Sequence, residues 1–183
     1  QRVVVGVSGG IDSAVSLFLA VEAFGADKVH AVALPYRESS ADSLQHAQEA
    51  LDKTGLPYRE IDITPMADGW FNQASEITAM RKGNFLARLR MNVLYDLSAQ
   101  ESALVIGTSN KTEMLLGYST LWGDMAHAVN PLGDLYKCQV RNLASHLNVP
   151  NEIIAKPPSA DLWAGQTDEE DLEASYDYAD ALL

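Results

Sequence analysis

Ser8-Gly9-Gly10-Ile11-Asp12-Ser13 follows an apolar run of β type, Val3-Val4-Val5-Gly6-Val7, and precedes a helical pattern, Ala14-Val15-Ser16-Leu17-Phe18-Leu19-Ala20. A buried strand, a glycine turn and a helix start therefore meet at one point. Phosphate cradles are built this way: backbone N–H groups converge at a helix N-terminus whose dipole favours negative charge. Gly9 and Gly10 permit the sharp bend and a close approach of ligand to backbone. Ser8 and Ser13 add hydroxyl donors. Asp12 would repel a phosphate unless a cation lay between them, and Mg²⁺, which takes carboxylate and phosphate oxygens together, reconciles the two. The plainer alternative is an ordinary strand-to-helix turn capped by Asp12 or Ser13.

Working outward, the first helix is expected from Ser13 to about Phe24, stopping near Gly25. Lys28 to Leu34 reads as a second buried strand with the exit loop Pro35–Ser40. Ser43 to Thr54 has helical spacing and ends at Gly55. Tyr58 to Ile63 is expected as a third strand, and a helical stretch around Trp70 to Met80 follows. Gly83-Asn84 is expected to break the chain before a strong helix over Phe85 to Leu97, with Leu86, Leu89, Val93, Leu94 and Leu97 on one side. Ala103 to Gly107 reads as a fourth strand, leading through Thr108-Ser109-Asn110 into another helix. Tyr118 to Gly133 reads as loop, Leu135 to Leu147 as helix, and Leu172 to Leu183 as a terminal helix; the acids Asp168 to Asp171 read as a solvated face. Continuous apolar strands alternating with helices predict an α/β fold, a doubly wound parallel sheet with helices on both faces. Ligands bind such sheets beyond the carboxyl ends of the strands. Three strand ends here carry unusual residues: Ser8–Ser13, Leu34–Ser40 and Thr108–Glu113.

The 183 residues fit one domain with a substantial core, and 47% hydrophobic with 21% charged residues is a globular balance. No apolar run is long enough for a membrane span. The chain opens directly on a strand, so no signal peptide is expected; with Cys138 as its one cysteine, a cytoplasmic location is the expectation. A net charge of −12 argues against gripping a nucleic-acid backbone, which needs a basic face, but not against a small anion in a locally positive pocket. The four histidines show no metal-ligand spacing, although His127 lies close to Asp124.

The loop has no lysine and so is not the GxxxxGK[ST] kind. It resembles the SGGxDS pyrophosphate loop of the ATP pyrophosphatase superfamily, whose members cleave ATP into AMP and pyrophosphate. Further runs, in order along nearly the whole chain, make the resemblance specific: Gly-Asn-Phe-Leu-Ala-Arg-Leu-Arg-Met (83–91), Gly-Thr-Ser-Asn-Lys-Thr-Glu-Met (107–114), Gly-Asp-Met (123–125), Asn-Pro-Leu-Gly-Asp-Leu-Tyr-Lys (130–137) and Lys-Pro-Pro-Ser-Ala-Asp-Leu-Trp (156–163). Together they look like the ammonia-dependent NAD synthetases. The resemblance implies an adenine nucleotide alpha hydrolase-like fold. It also implies a ligase that adenylates the nicotinate carboxylate of deamido-NAD with ATP and lets ammonia displace AMP.

Residue by residue, the resemblance implies ATP binding by Gly6, Ser8, Gly9, Gly10, Asp12, Ser13, the Leu34 backbone, Thr108, Lys137 and Ser159. It implies Mg²⁺ on Asp12 and Glu113, deamido-NAD contacts from Asn84, Arg88 and Asp124, and catalytic roles for Lys137 on the phosphates and Asp124 beside the ammonia. A homodimer is implied as well. Leu121 and Ala128 stand where the smaller bacterial members often carry a lysine and an acid, and Glu173 where glycine is common. Residues 157–166 are expected to form a lid, since pyrophosphate must leave and an adenylate must be kept from water. Two other readings remain open: a different ATP pyrophosphatase-type ligase, or a nucleotide-binding module without turnover.

Overall fold

The computed structural model describes residues 1–160 and 165–183. Its centre is β1 (Arg2–Gly6), flanked on both sides by parallel partners, β2 (Val29–Val32) and β3 (Ala103–Ile106), in the order β2-β1-β3. Val4 pairs with His30 on one side and with Val105 on the other. Val3, Val4 and Val5 are fully buried because both faces of the sheet are covered. Val3 and Val5 face α1 (Ile11–Phe24), α2 (Ala41–Thr54), α6 (Lys137–His146) and α7 (Asn151–Ala155), through Val15, Leu17, Leu51, Val140 and Ile153. Val4 faces the other way, onto α3 (Thr64–Phe71) and α4 (Ala79–Glu101), through Ala67, Leu86 and Leu97. Between α4 and α6 lie β3 and the short α5 (Lys111–Leu116); α8 (Asp168–Asp171) and α9 (Tyr176–Leu182) close the described chain.

The expected third strand at Tyr58–Ile63 is an extended segment with one parallel bridge, Ala33 to Glu60. Ala33 and Pro35 accept N–H bonds from Ile61 and Ile63, but Pro35 has no N–H to return, so the ladder stops. On the opposite edge, residues expected as loop extend the sheet: Val129 bridges Ile106, and the Gly107 N–H donates to the Val129 carbonyl at 2.7 Å.

The helix expected over Trp70–Met80 lies earlier, over Thr64–Phe71, started by Pro65 and by Asp62, whose carboxylate accepts the Thr64 N–H. The expected break at Gly83-Asn84 does not occur. Thr78 caps α4, and the helix runs through both residues. An interior glycine costs a helix about 1 kcal/mol, less than the burial of Leu86 and Leu97 returns.

Candidate active site

The glycine turn folds on itself. The Ser13 hydroxyl accepts the Ser8 N–H at 3.1 Å and donates to the Gly10 carbonyl at 2.9 Å; the Ser8 hydroxyl lies 3.0 Å from it and accepts the Gly10 N–H. Both hydroxyls thus shape the loop. α1 starts at Ile11 rather than Ser13, with Gly10 in the cap position and no side-chain cap. Gly9 has φ +80°, and a Cβ there would lie 2.0 Å from the Ser43 carbonyl oxygen at the start of α2. Only glycine lets the turn pass that close. Gly6, at the end of β1, backs onto Leu94 of α4.

Asp12, in the first turn of α1, meets Glu113 of α5 at the ammonium of Lys137, the first residue of α6. The Lys137 Nζ stands 2.6 Å from Asp12 Oδ2 and 3.1 Å from Glu113 Oε1, and the lysine is 2% exposed. Asn110 ties the two acids together: its Nδ2 donates to Asp12 Oδ1 at 2.8 Å, and its Oδ1 accepts the Glu113 N–H in a reciprocal capping box. Burial pushes the Glu113 carboxyl well above the usual range, the Asp12 charge adds to that, and Lys137 opposes it. Burial alone would lower the Lys137 ammonium pKa, but the two acids overcome this and raise it.

Among the described residues no three His, Cys, Asp or Glu side chains form a closed metal site. Asp12 and Glu113, which converge on the Lys137 ammonium, are of the donor type that would hold Mg²⁺ beside a phosphate.

A second group sits against α4. The Asn84 Oδ1 accepts the Thr120 hydroxyl at 2.7 Å, and the Arg88 Nε donates to the Leu121 carbonyl at 3.0 Å. Both line a cavity of about 250 Å³ walled by Trp70, Phe71, Phe85 and Arg81. The Asp124 carboxylate accepts the Thr120 N–H at 2.7 Å. The residue reaches solvent, yet its carboxyl is crowded enough by protein to be pushed up, against the pull of the Thr120, Asp124 and Met125 N–H groups. The Ser109 hydroxyl reaches the Asp124 carbonyl, and the Ser109 carbonyl accepts from Asn130.

Thr108 lies half-buried just past β3. Leu34 is buried at the end of β2, and its carbonyl accepts from the Arg90 Nε at 2.9 Å. His127 packs against the backbone of Gly107, where a Cβ would lie 2.3 Å from its ring. Ser159 is placed by its neighbours: the Pro158 carbonyl accepts the Asp168 N–H at 2.9 Å, and the Ala160 N–H donates to the Asp168 carboxylate. Within the expected lid, residues 161–164 lie outside the described residues.

The acidic run is a solvated face only in part: Glu170 and Asp171 are exposed, and Asp168 is not. Asp168 is 4% exposed and accepts the Tyr176 hydroxyl, Asp171 accepts from Gln166, and the single Tyr118 hydroxyl lies between the two acids, 2.8 Å from Asp171 Oδ2 and 3.2 Å from Asp168 Oδ1. Sequence reading missed this cluster and also Asn110. The Asn-x-x-Glu spacing of 110–113 is a legible capping signal; nothing local marks Asp168, whose partners are distant in sequence.

The chain matches the NAD synthase family model over residues 1–183. It is 56% identical over its whole length to the NH3-dependent NAD+ synthetase of Chlorobium phaeobacteroides, and it spans 66% of that protein's length. Its structure is similar to that of NMN synthetase from Francisella tularensis, with TM-score 0.94 and 38% identity, covering all of this chain and 76% of that one. The NH3-dependent NAD synthetase of Campylobacter jejuni gives TM-score 0.80 and 44% identity, covering 84% of this chain and 67% of that one. The glycine turn, the paired acids and the parallel sheet that carries them therefore have a family: the chain belongs to the NAD synthases.

Proposed function

We propose that this chain amidates deamido-NAD to NAD, spending ATP and taking free ammonia as nitrogen donor. The convergence of Asp12, Glu113 and Lys137 beside an uncapped helix N-terminus supports this reading best. A carboxylate is a poor electrophile, and joining it to ATP brings anions together. The nicotinate oxygen attacks the α-phosphorus and pyrophosphate leaves; ammonia then attacks the acyl carbon and AMP leaves with that oxygen.

In this reading the first N–H groups of α1, just past the glycine turn, and Lys137 hold the phosphates, and Thr108 and Ser159 contact ATP. Asp12 and Glu113 would hold Mg²⁺, which supplies neutralising charge to the phosphates when bound. Asn84 and Arg88 orient the acceptor across the aromatic-walled cavity. Asp124, with its raised pKa, takes the proton that ammonium must lose. The chain works in the cytoplasm as a homodimer; no described helix is long and apolar enough to cross a membrane, and exposed Met80, Leu121 and Trp122 offer apolar surface to a second copy.

A second acceptor has its own support. The similarity to an NMN synthetase spans the whole chain. The acid form of nicotinamide mononucleotide would then be amidated by the same chemistry. Purified protein given ATP, Mg²⁺ and ammonium with either acceptor decides between them. NAD and AMP from deamido-NAD are expected, with glutamine failing to replace ammonium. Faster turnover of the mononucleotide would favour the second reading, and no AMP with either acceptor would refute both.

A further inference from the structure

α9 presents Tyr176 and Asp180, four residues apart, to the first turn of α6. Asp180 accepts the Thr112 hydroxyl and the Cys138 N–H, and Thr112 in turn accepts the Lys137 N–H at 3.0 Å. These bonds fix the backbone of the lysine. Its other end rests on Tyr176, a fully buried ring whose centroid is 4.8 Å from the ammonium, with the two acids on the remaining sides. The Tyr176 hydroxyl donates to Asp168 Oδ2 at 3.0 Å; Asp168 Oδ1 lies 3.2 Å from the Tyr118 hydroxyl. Asp168 also holds the backbone on both sides of Ser159, through Pro158 and Ala160.

We infer that Tyr176 and Asp168 are positioning residues for Lys137, holding its ammonium at the junction of Asp12 and Glu113 and in fixed relation to the Ser159 turn. The inference rests on the ligase reading, in which Lys137 and Ser159 touch the ATP phosphates. A long lysine chain has considerable rotamer freedom, and a point charge is useful to a phosphate only where it is held. Here the ring restrains the ammonium from one side, and the hydroxyl-to-carboxylate bond restrains the ring. A buried carboxylate among hydroxyl and N–H donors costs desolvation, and it gives that ring one orientation.

Tyr176→Phe keeps the ring and removes the bond to Asp168. With Mg²⁺ present, calorimetric ATP affinity should fall about tenfold in the otherwise unaltered chain and no more than about threefold in a Lys137→Met background, the difference being what passes through the lysine. Equal factors in both backgrounds would overturn the positioning role. A second arm needs no ATP: reductive methylation of Lys137, followed by mass spectrometry, should be several-fold faster in Tyr176→Phe and in Asp168→Asn than in the unaltered chain. Unchanged methylation in both variants would also overturn the role. A chain that binds no ATP defeats the ligase reading, while faster methylation would still support the restraint on Lys137.

Discussion

The ammonium of Lys137 stands 2.6 Å from the carboxylate of Asp12, although 125 residues separate them in the chain. The pair joins the first turns of α1 and α6, two helices packed on the same face of the sheet. Deleting the lysine leaves Asp12 and Glu113 buried together without their cation. Removing one partner of a buried pair costs about 3–5 kcal/mol, less what Glu113 recovers by taking a proton. Lys137→Met should therefore lower stability to urea at neutral pH, and added Mg²⁺ should restore part of the loss. Equal unfolding midpoints for the variant and the unaltered chain would contradict this.

Asp12→Asn is a gentler change. The amide carbonyl can still accept the Asn110 bond, so the fold should persist. Turnover should fall at least about a hundredfold, which is a few kcal/mol of transition-state stabilisation. Steady-state rates beside a circular-dichroism melt measure both; near-normal activity would remove Asp12 from the mechanism.

What the sequence made legible was largely local. The strand, glycine turn and helix at residues 3–20 are read from neighbours in the chain, and the alternation of apolar strands and helices gives the parallel sheet. The continuation of α4 through Gly83 was hidden because packing of Leu86 and Leu97 outweighs a local breaker. Val129 at the sheet edge was hidden because its pairing is with Ile106, far back in the sequence. The buried acid Asp168 was read as solvated because its three acidic neighbours in the run dominate the local charge pattern.

Glu173 follows α8 with φ +53°, and the Glu173 and Ala174 N–H groups donate to the Glu170 and Glu169 carbonyls. That is a Schellman ending, whose left-handed position favours glycine. Glu173→Gly should stabilise the chain by about 0.5–1 kcal/mol. Gly9→Ala should do the reverse, costing about 2 kcal/mol or more, because its Cβ meets the Ser43 carbonyl. Chemical denaturation of the two variants checks both signs.

His127 should contribute to the acid sensitivity of the fold. Burial lowers its pKa from the usual 6.5, and its buried Nε2 has no hydrogen-bond partner among the described residues. A base with a depressed folded pKa contributes stability that is present above its unfolded pKa and lost as pH falls through the folded one. The melting temperature should thus drop below about pH 6.5, and His127→Phe, which keeps a ring against Gly107, should flatten that part of the profile. An unchanged acid limb in the variant would exclude His127 as its cause.

In the proposed reaction an acyl-adenylate forms where Asp12, Glu113 and Lys137 meet. Deamido-NAD labelled with ¹⁸O in its nicotinate carboxylate reports that intermediate, because the attacking oxygen leaves on AMP. With ATP, Mg²⁺ and ammonium, mass spectrometry should find one ¹⁸O in each AMP released from fully labelled substrate; AMP without label, formed alongside NAD, would exclude the adenylate.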